Sequence, residues 1–176
     1  MRIEAEHTAA LVIDYQEKLV PVMEEKETLL YHSEILLQGL KVLEIPMILT
    51  QQYTKGLGMT VKEIAEAAGT EEYVDKITFS AYECVKEKIG DKKYVIICGM
   101  ETHICVLQTV IDLKAAGFVP VVVEDCVASR KGNDKKVALE RMRDEGALIT
   151  TYESLLFELL KEAGTEMSKK IQRLIK

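Results

Sequence analysis

Ile96-Ile97-Cys98-Gly99-Met100-Glu101-Thr102-His103-Ile104-Cys105-Val106 is an apolar run that halts at a glycine, makes a short polar turn and restarts as an amphipathic segment. That order predicts a buried strand feeding a helix, with Cys105 in the helix's first turn. The first amides of a helix have no intrahelical acceptor, and the positive end of the helix dipole lies there. A sulfur in that position is expected to favour thiolate over thiol. Nearby N–H groups would receive the oxyanion made when it attacks a carbonyl. The segment points to a cysteine hydrolase.

Upstream, Ala9-Ala10-Leu11-Val12-Ile13-Asp14 is a continuous apolar run ending in a carboxylate, as a central parallel strand requires. A helical pattern runs from about Thr28 to Leu43, and Pro46 to Thr50 predicts a second strand. A loop from Gln51 to Met59 leads to a short helix near Val61–Ala68, a weaker strand at Tyr73–Ile77 and a helix at Ala81–Ile89. Tyr94 to Cys98 is then the strand before the nucleophile turn. Downstream, Ile104 to Ala116 predicts a helix stopped by Gly117, and Val119 to Val123 another strand. Asn133 is expected to cap a helix reaching Asp144. A last short strand follows at Gly146–Thr150, then one or two closing helices. Strands alternating with helices define an α/β fold: three-layer α/β/α, Rossmann-like, with a mainly parallel sheet of about six strands. No linker, repeat or composition break interrupts it, so residues 1–176 are expected to form one domain.

The chain has 48% hydrophobic and 30% charged residues and a net charge of -6, which disfavours a nucleic-acid partner. No apolar run approaches the roughly 18 residues of a membrane span. The acidic N-terminus lacks a signal-peptide core, making the cytoplasm the expected location. Four cysteines show neither a CxxC pair nor zinc spacing and are expected to be reduced. Cys98 fits a buried strand, Cys84 a core or half-buried helix position. Cys126, at a strand end, is the rival to Cys105.

In such a sheet, ligands bind beyond the carboxyl ends of the strands. The residues there are Asp14 and Gln16; Gln51, Gln52 and Tyr53; Lys76, Phe79 and Tyr82; Cys105; and Asp125, Ser129 and Arg130. A nucleophilic cysteine needs a base. His103 is two residues from Cys105 and faces elsewhere on a helix. His7 precedes the first strand, and His32 falls on a surface helix. Asp14 is the better candidate, because a carboxylate ending an apolar strand is costly unless paired or functional. Lys76 would hold that carboxylate charged.

Together and in this order, several segments carry a resemblance. They are Leu11-Val12-Ile13-Asp14-Tyr15-Gln16, Thr50-Gln51-Gln52-Tyr53 with Lys55-Gly56-Leu57-Gly58, and Lys76-Ile77-Thr78-Phe79-Ser80-Ala81. Gly99 to Val106, Ala128-Ser129-Arg130 and Thr150-Thr151-Tyr152-Glu153 with Phe157 complete the set. The chain resembles the isochorismatase-like cysteine hydrolase superfamily, and within it the small metal-free branch. The resemblance implies Asp14 as general base, Lys76 as its electrostatic partner and Cys105 as nucleophile. It further implies a cis peptide at Met100-Glu101 and an oxyanion hole from the backbone N–H groups of Glu101 and Cys105, leaving the Glu101 side chain without a role.

Nicotinamidases of the superfamily carry an aspartate and histidines for a metal after the second strand. Gln51-Gln52-Tyr53 stands there instead, so no metal and no cofactor are expected. Siderophore-pathway isochorismatases have glycine where Cys105 stands, which argues against isochorismate as substrate. The expected activity is hydrolysis of a small amide or related carbon–nitrogen bond through a thioester. Gln16, Tyr53 and Phe79 would wall the pocket, with plain core packing an equal reading for Phe79, and Ser129 and Arg130 would anchor a substrate carboxylate. The alternative for Arg130 is a structural or subunit-interface ion pair. Other readings of the chain are a binding protein that has lost turnover, or a redox-sensing thiol protein with Cys126 resolving Cys105. The expected partners are a small-molecule substrate and, from the family habit and a leucine-bearing C-terminal helix, further copies of the chain in a homo-oligomer.

Overall fold

Six strands form one sheet in the order β3-β2-β1-β4-β5-β6 in the computed structural model, which describes residues 1–176. The strands are β1 (Thr8–Ile13), β2 (Met47–Gln52), β3 (Val74–Lys76), β4 (Tyr94–Met100), β5 (Val119–Ala128) and β6 (Leu148–Thr150). Every pairing is parallel. The helices are α1 (Lys26–Val42), α2 (Thr54–Leu57), α3 (Lys62–Ala68), α4 (Tyr82–Ile89), α5 (Leu107–Ala115), α6 (Gly132–Asp144), α7 (Tyr152–Leu160) and α8 (Glu166–Ile175). The predicted three-layer α/β/α architecture is the one observed.

Side chains alternate across a strand, so each strand feeds two cores. Ala10, Val12, Ile96 and Cys98 pack with α1, α3, α7 and α8 on one face. Leu11, Ile13, Val95 and Ile97 pack with α4, α5 and α6 on the other. With both faces covered, the central strands are largely apolar, and all six residues of β1 are buried.

Chain order reverses at β1, which lies between β2 and β4, so the switch in strand order falls at the carboxyl ends of β1 and β4. Gly99 brings those ends together. Its φ is +127°, and a Cβ there would strike the backbone carbonyl of Ile13. Only a residue without a side chain permits that approach.

Three local expectations differ from the structure. β5 runs five residues beyond Val123, its pairing with β4 shifting register between Ile97 and Gly99. The Asp125 carboxylate then accepts from the Tyr152 amide at 2.9 Å, so a charged pair that reads as a strand end is instead a brace for α7. Asn133 lies inside α6, whose N-cap position is Lys131 with no side-chain cap. Cys84 is exposed on α4, because Val85 and Ile89 take that helix's buried face.

Candidate active site

Asp14 leaves β1 with φ +56°, which turns its carboxylate back under the sheet edge, where it is fully buried. Its Oδ1 accepts from the Thr50 hydroxyl at 2.7 Å, and its Oδ2 lies 2.8 Å from Lys76 Nζ. Thr50 is the register partner of Ile13, so β1–β2 pairing places that hydroxyl. Lys76 ends the edge strand β3 and is 2% exposed. Its ammonium also donates to Gln52 Oε1 at 2.7 Å, Phe79 O at 3.0 Å and Thr78 O at 3.3 Å. A buried ion pair needs its remaining hydrogen-bonding capacity met; the ammonium finds three further acceptors, whereas Asp14 Oδ2 has the Lys76 ion pair and no hydrogen bond besides.

Cys105 lies in a π turn, Thr102–Val106, between β4 and α5. The Met100–Glu101 peptide that leads into it is cis, at the position the resemblance implies. The Glu101 carbonyl accepts from the amides of Ile104 at 3.0 Å and Val106 at 3.2 Å, and not from that of Cys105 between them. The Glu101 amide itself has no acceptor within the chain. π turns of this kind recur at functional sites.

Asp14 and Lys76 are the charged side chains that act on the Cys105 thiol, the carboxylate raising its pKa and the ammonium lowering it. Burial, then the Asp14 charge, pushes its pKa up to about 12, against a smaller downward pull from Lys76. This corrects the expectation of a resting thiolate. Desolvation disfavours the charged form, and the sulfur rests as a neutral thiol. Cys105 keeps 6% of its surface open to solvent.

The other expected site residues divide. The backbones of Tyr53 and Phe79 surround the lysine, since the Tyr53 amide donates to Lys76 O at 2.8 Å and Phe79 O accepts from Nζ. Their side chains stand about half exposed on the rim. Gln16 does not wall a pocket. It is fully buried, its amide donating to Gln52 O and Gly58 O while its Oε1 accepts from the Gln52 N–H, so it laces β1 to the β2 loop. Arg130 Nε lies 3.0 Å from Glu101 Oε2, and its backbone N–H donates to the same oxygen at 3.0 Å. That is the structural ion pair, and it gives the Glu101 side chain a partner that the resemblance did not imply. Ser129 Oγ is hydrogen-bonded to His103 Nδ1 at 2.9 Å.

Cys126 is fully buried in the α1-side core, whereas Cys105 belongs to the opposite core. A disulfide between them would have to cross the sheet, which its short reach forbids. This removes the resolving-cysteine reading. Thr109 was missed, although its i,i+4 spacing from Cys105 was a usable signal. Its hydroxyl donates to Cys105 O at 2.7 Å and accepts from the Ala81 amide at 2.9 Å, joining the cysteine-bearing turn to the segment after the lysine loop. The larger hollows, one of about 660 Å³ between α1, α3 and α8 and one of about 710 Å³ beside Met59 and Thr60, contain no cysteine or histidine. No group of three His, Cys, Asp or Glu side chains is placed to hold a metal ion.

The isochorismatase domain model matches residues 8–154, from the first residue of β1 into α7 and across every site residue above. The chain belongs to the isochorismatase family. It is 37% identical to "Secreted isochorismatase effector Isc1" of Phytophthora sojae, over 97% of this chain and 85% of that protein. Among solved structures it superposes on "Structure of MAR1 Ribonuclease from Caenorhabditis elegans" with a TM-score of 0.93 and 34% identity, covering 99% and 92% of the two chains. The YcaC gene product of Escherichia coli, described as an octameric hydrolase of unknown specificity, matches with a TM-score of 0.85 and 25% identity over 92% and 83%. The fold is that of an isochorismatase-family hydrolase, and no helix is long and apolar enough to cross a membrane.

Proposed function

We propose that this isochorismatase-family protein is a cysteine-dependent hydrolase of a small amide or related carbon–nitrogen bond. The observation that carries the reading is the Cys105 thiol set against a buried Asp14–Lys76 pair. In the proposed sequence, Asp14 takes the thiol proton as sulfur adds to the carbonyl carbon, and the oxyanion is received by the Glu101 and Cys105 amides. Collapse breaks the C–N bond, and the amine leaves with the proton returned from Asp14, giving a thioester. Asp14 then takes a proton from water, hydroxide adds to the thioester, and the acid is released as the thiol re-forms. Lys76 holds the carboxylate in place through its 2.8 Å ion pair. Because the resting sulfur is a neutral thiol, the base is required in the attacking step.

A phosphodiesterase reading, prompted by the ribonuclease name of the C. elegans structure, has less support. Net charge is -6, Lys76 is spent on Asp14, and Arg130 Nε is spent on Glu101. We read residues 1–176 as one domain, because both cores close on a single sheet. We also read the chain as a homo-oligomer. The exposed Tyr53, Ile77 and Phe79 and the octameric E. coli hydrolase support that.

The test is a panel of small amides with Cys105→Ala and Cys126→Ala. Turnover should vanish in the first variant and persist within about twofold in the second, which sits in a different core. Equal turnover by the parent and Cys105→Ala would end the proposal.

A further inference from the structure

The turn that carries Cys105 is gripped from outside. Within the chain its entry amide, Glu101 N–H, has no acceptor, and the buried Thr102 hydroxyl has no partner. Two consecutive residues between β5 and α6 reach across to it instead. Ser129 holds His103 at 2.9 Å, and Arg130 holds Glu101 through its backbone N–H and through Nε, which lies 3.1 Å and 3.0 Å from the two carboxylate oxygens. The Glu101 side chain is only 8% exposed, whereas that of Arg130 is 58% exposed. A carboxylate this enclosed needs its cation. Left alone, its charge would sit on the very residue whose amide is assigned to the oxyanion, and would oppose that developing charge.

We propose that Arg130 is a positioning residue for the oxyanion hole. Its Nε and backbone N–H fix and neutralise the Glu101 carboxylate, and so set the direction of the Glu101 amide. The inference rests on the thioester reading above. It differs from a substrate anchor, because Arg130 then acts on every acyl donor, charged or neutral. It also differs from a general scaffold role, because only steps that build an oxyanion depend on it.

Two neutral probes of Cys105 separate these possibilities. Acylation by p-nitrophenyl acetate passes through an oxyanion, whereas alkylation by iodoacetamide is a direct displacement at carbon that forms none. Both rates are read at Cys105 by mass spectrometry, and acylation also by nitrophenolate release, in the parent, Arg130→Ala, Arg130→Lys and Arg130→Ala with Glu101→Gln. Arg130→Ala should slow acylation roughly tenfold, less than the loss of an oxyanion donor outright, with alkylation changed by less than about twofold. Adding Glu101→Gln should restore most of the lost acylation, since it removes the uncompensated charge. Arg130→Lys keeps a cation without the guanidinium geometry and should fall between. It also supplies the comparison if Arg130→Ala does not fold. A parallel fall of both rates, or no change in either, overturns the proposal. If the parent releases nitrophenolate no faster than Cys105→Ala, the thioester reading itself falls, and this inference with it.

Discussion

Lys76 Nζ lies 2.8 Å from Asp14 Oδ2 with both side chains sealed from solvent, although the lysine ends an edge strand two positions across the sheet from β1. The pair is expensive to break from one side. Lys76→Met should cost about 3–5 kcal/mol by leaving a buried carboxylate without its cation. Adding Asp14→Asn should recover part of that loss, giving a coupling energy of at least about 1 kcal/mol in a double-mutant cycle. Urea denaturation of the parent, both single variants and the double variant measures it. Strictly additive losses would mean that the two groups do not sense each other.

The raised thiol pKa values have a signed consequence. Cys105 and Cys98 are both lifted from 9.0 to about 12, with burial the leading cause for each. Between those values the unfolded chain has lost its thiol protons while the folded chain keeps them, so the folded state binds more protons and stability falls as pH rises. The contribution is complete below pH 9 and disappears as pH climbs toward about 12. Iodoacetamide labelling of Cys105 should likewise keep accelerating well above pH 9. A labelling rate that levels off near neutral pH would show a resting thiolate after all.

Gly99→Ala should be among the most damaging single-methyl changes in the chain. The added Cβ meets the Ile13 carbonyl, and φ is +127°. Steric overlap and backbone strain each cost on the order of 1–3 kcal/mol. A thermal melt reads the result, and a loss below about 1 kcal/mol would mean that β1 and β4 can separate at no penalty.

Thr109 offers a separation of packing from hydrogen bonding. Thr109→Val keeps the shape but leaves the Ala81 amide and the Cys105 carbonyl without their partner at that position. A loss of about 1–3 kcal/mol is expected, with a slower Cys105. Thr109→Ser should restore most of both. If Val and Ser behave alike in denaturation and labelling, the hydroxyl is not the link between these segments.

Burial pattern carried the layer architecture and the six strands, because both faces of the sheet are covered and the strands are accordingly apolar. Asp14 is legible because its carboxylate ends an apolar run, and Cys105 because a new segment starts there, whereas Lys76 lies in the polar strand β3 and stands out chiefly through the resemblance. Less legible was which backbone group a polar side chain would meet. Gln16 looks like a pocket residue until the β2 loop folds over it, and Asp125 looks like a strand end until α7 arrives to be braced. The protonation state of Cys105 was misread for a related reason. A helix start is visible in local sequence, whereas the desolvation that overrides it comes from distant segments. Glu101 and Arg130 are 29 residues apart, and nothing in either segment announces the other.

The ammonium that completes the site arrives on β3, a three-residue strand at the border of the sheet and paired on one side only. Marginal strands peel away before central ones. Warming should therefore detach the lysine and silence the thiol while β1, β4 and β5 still protect their amides from exchange. Loss of chemistry would then precede loss of shape, and the protein's working temperature range would be set at its rim.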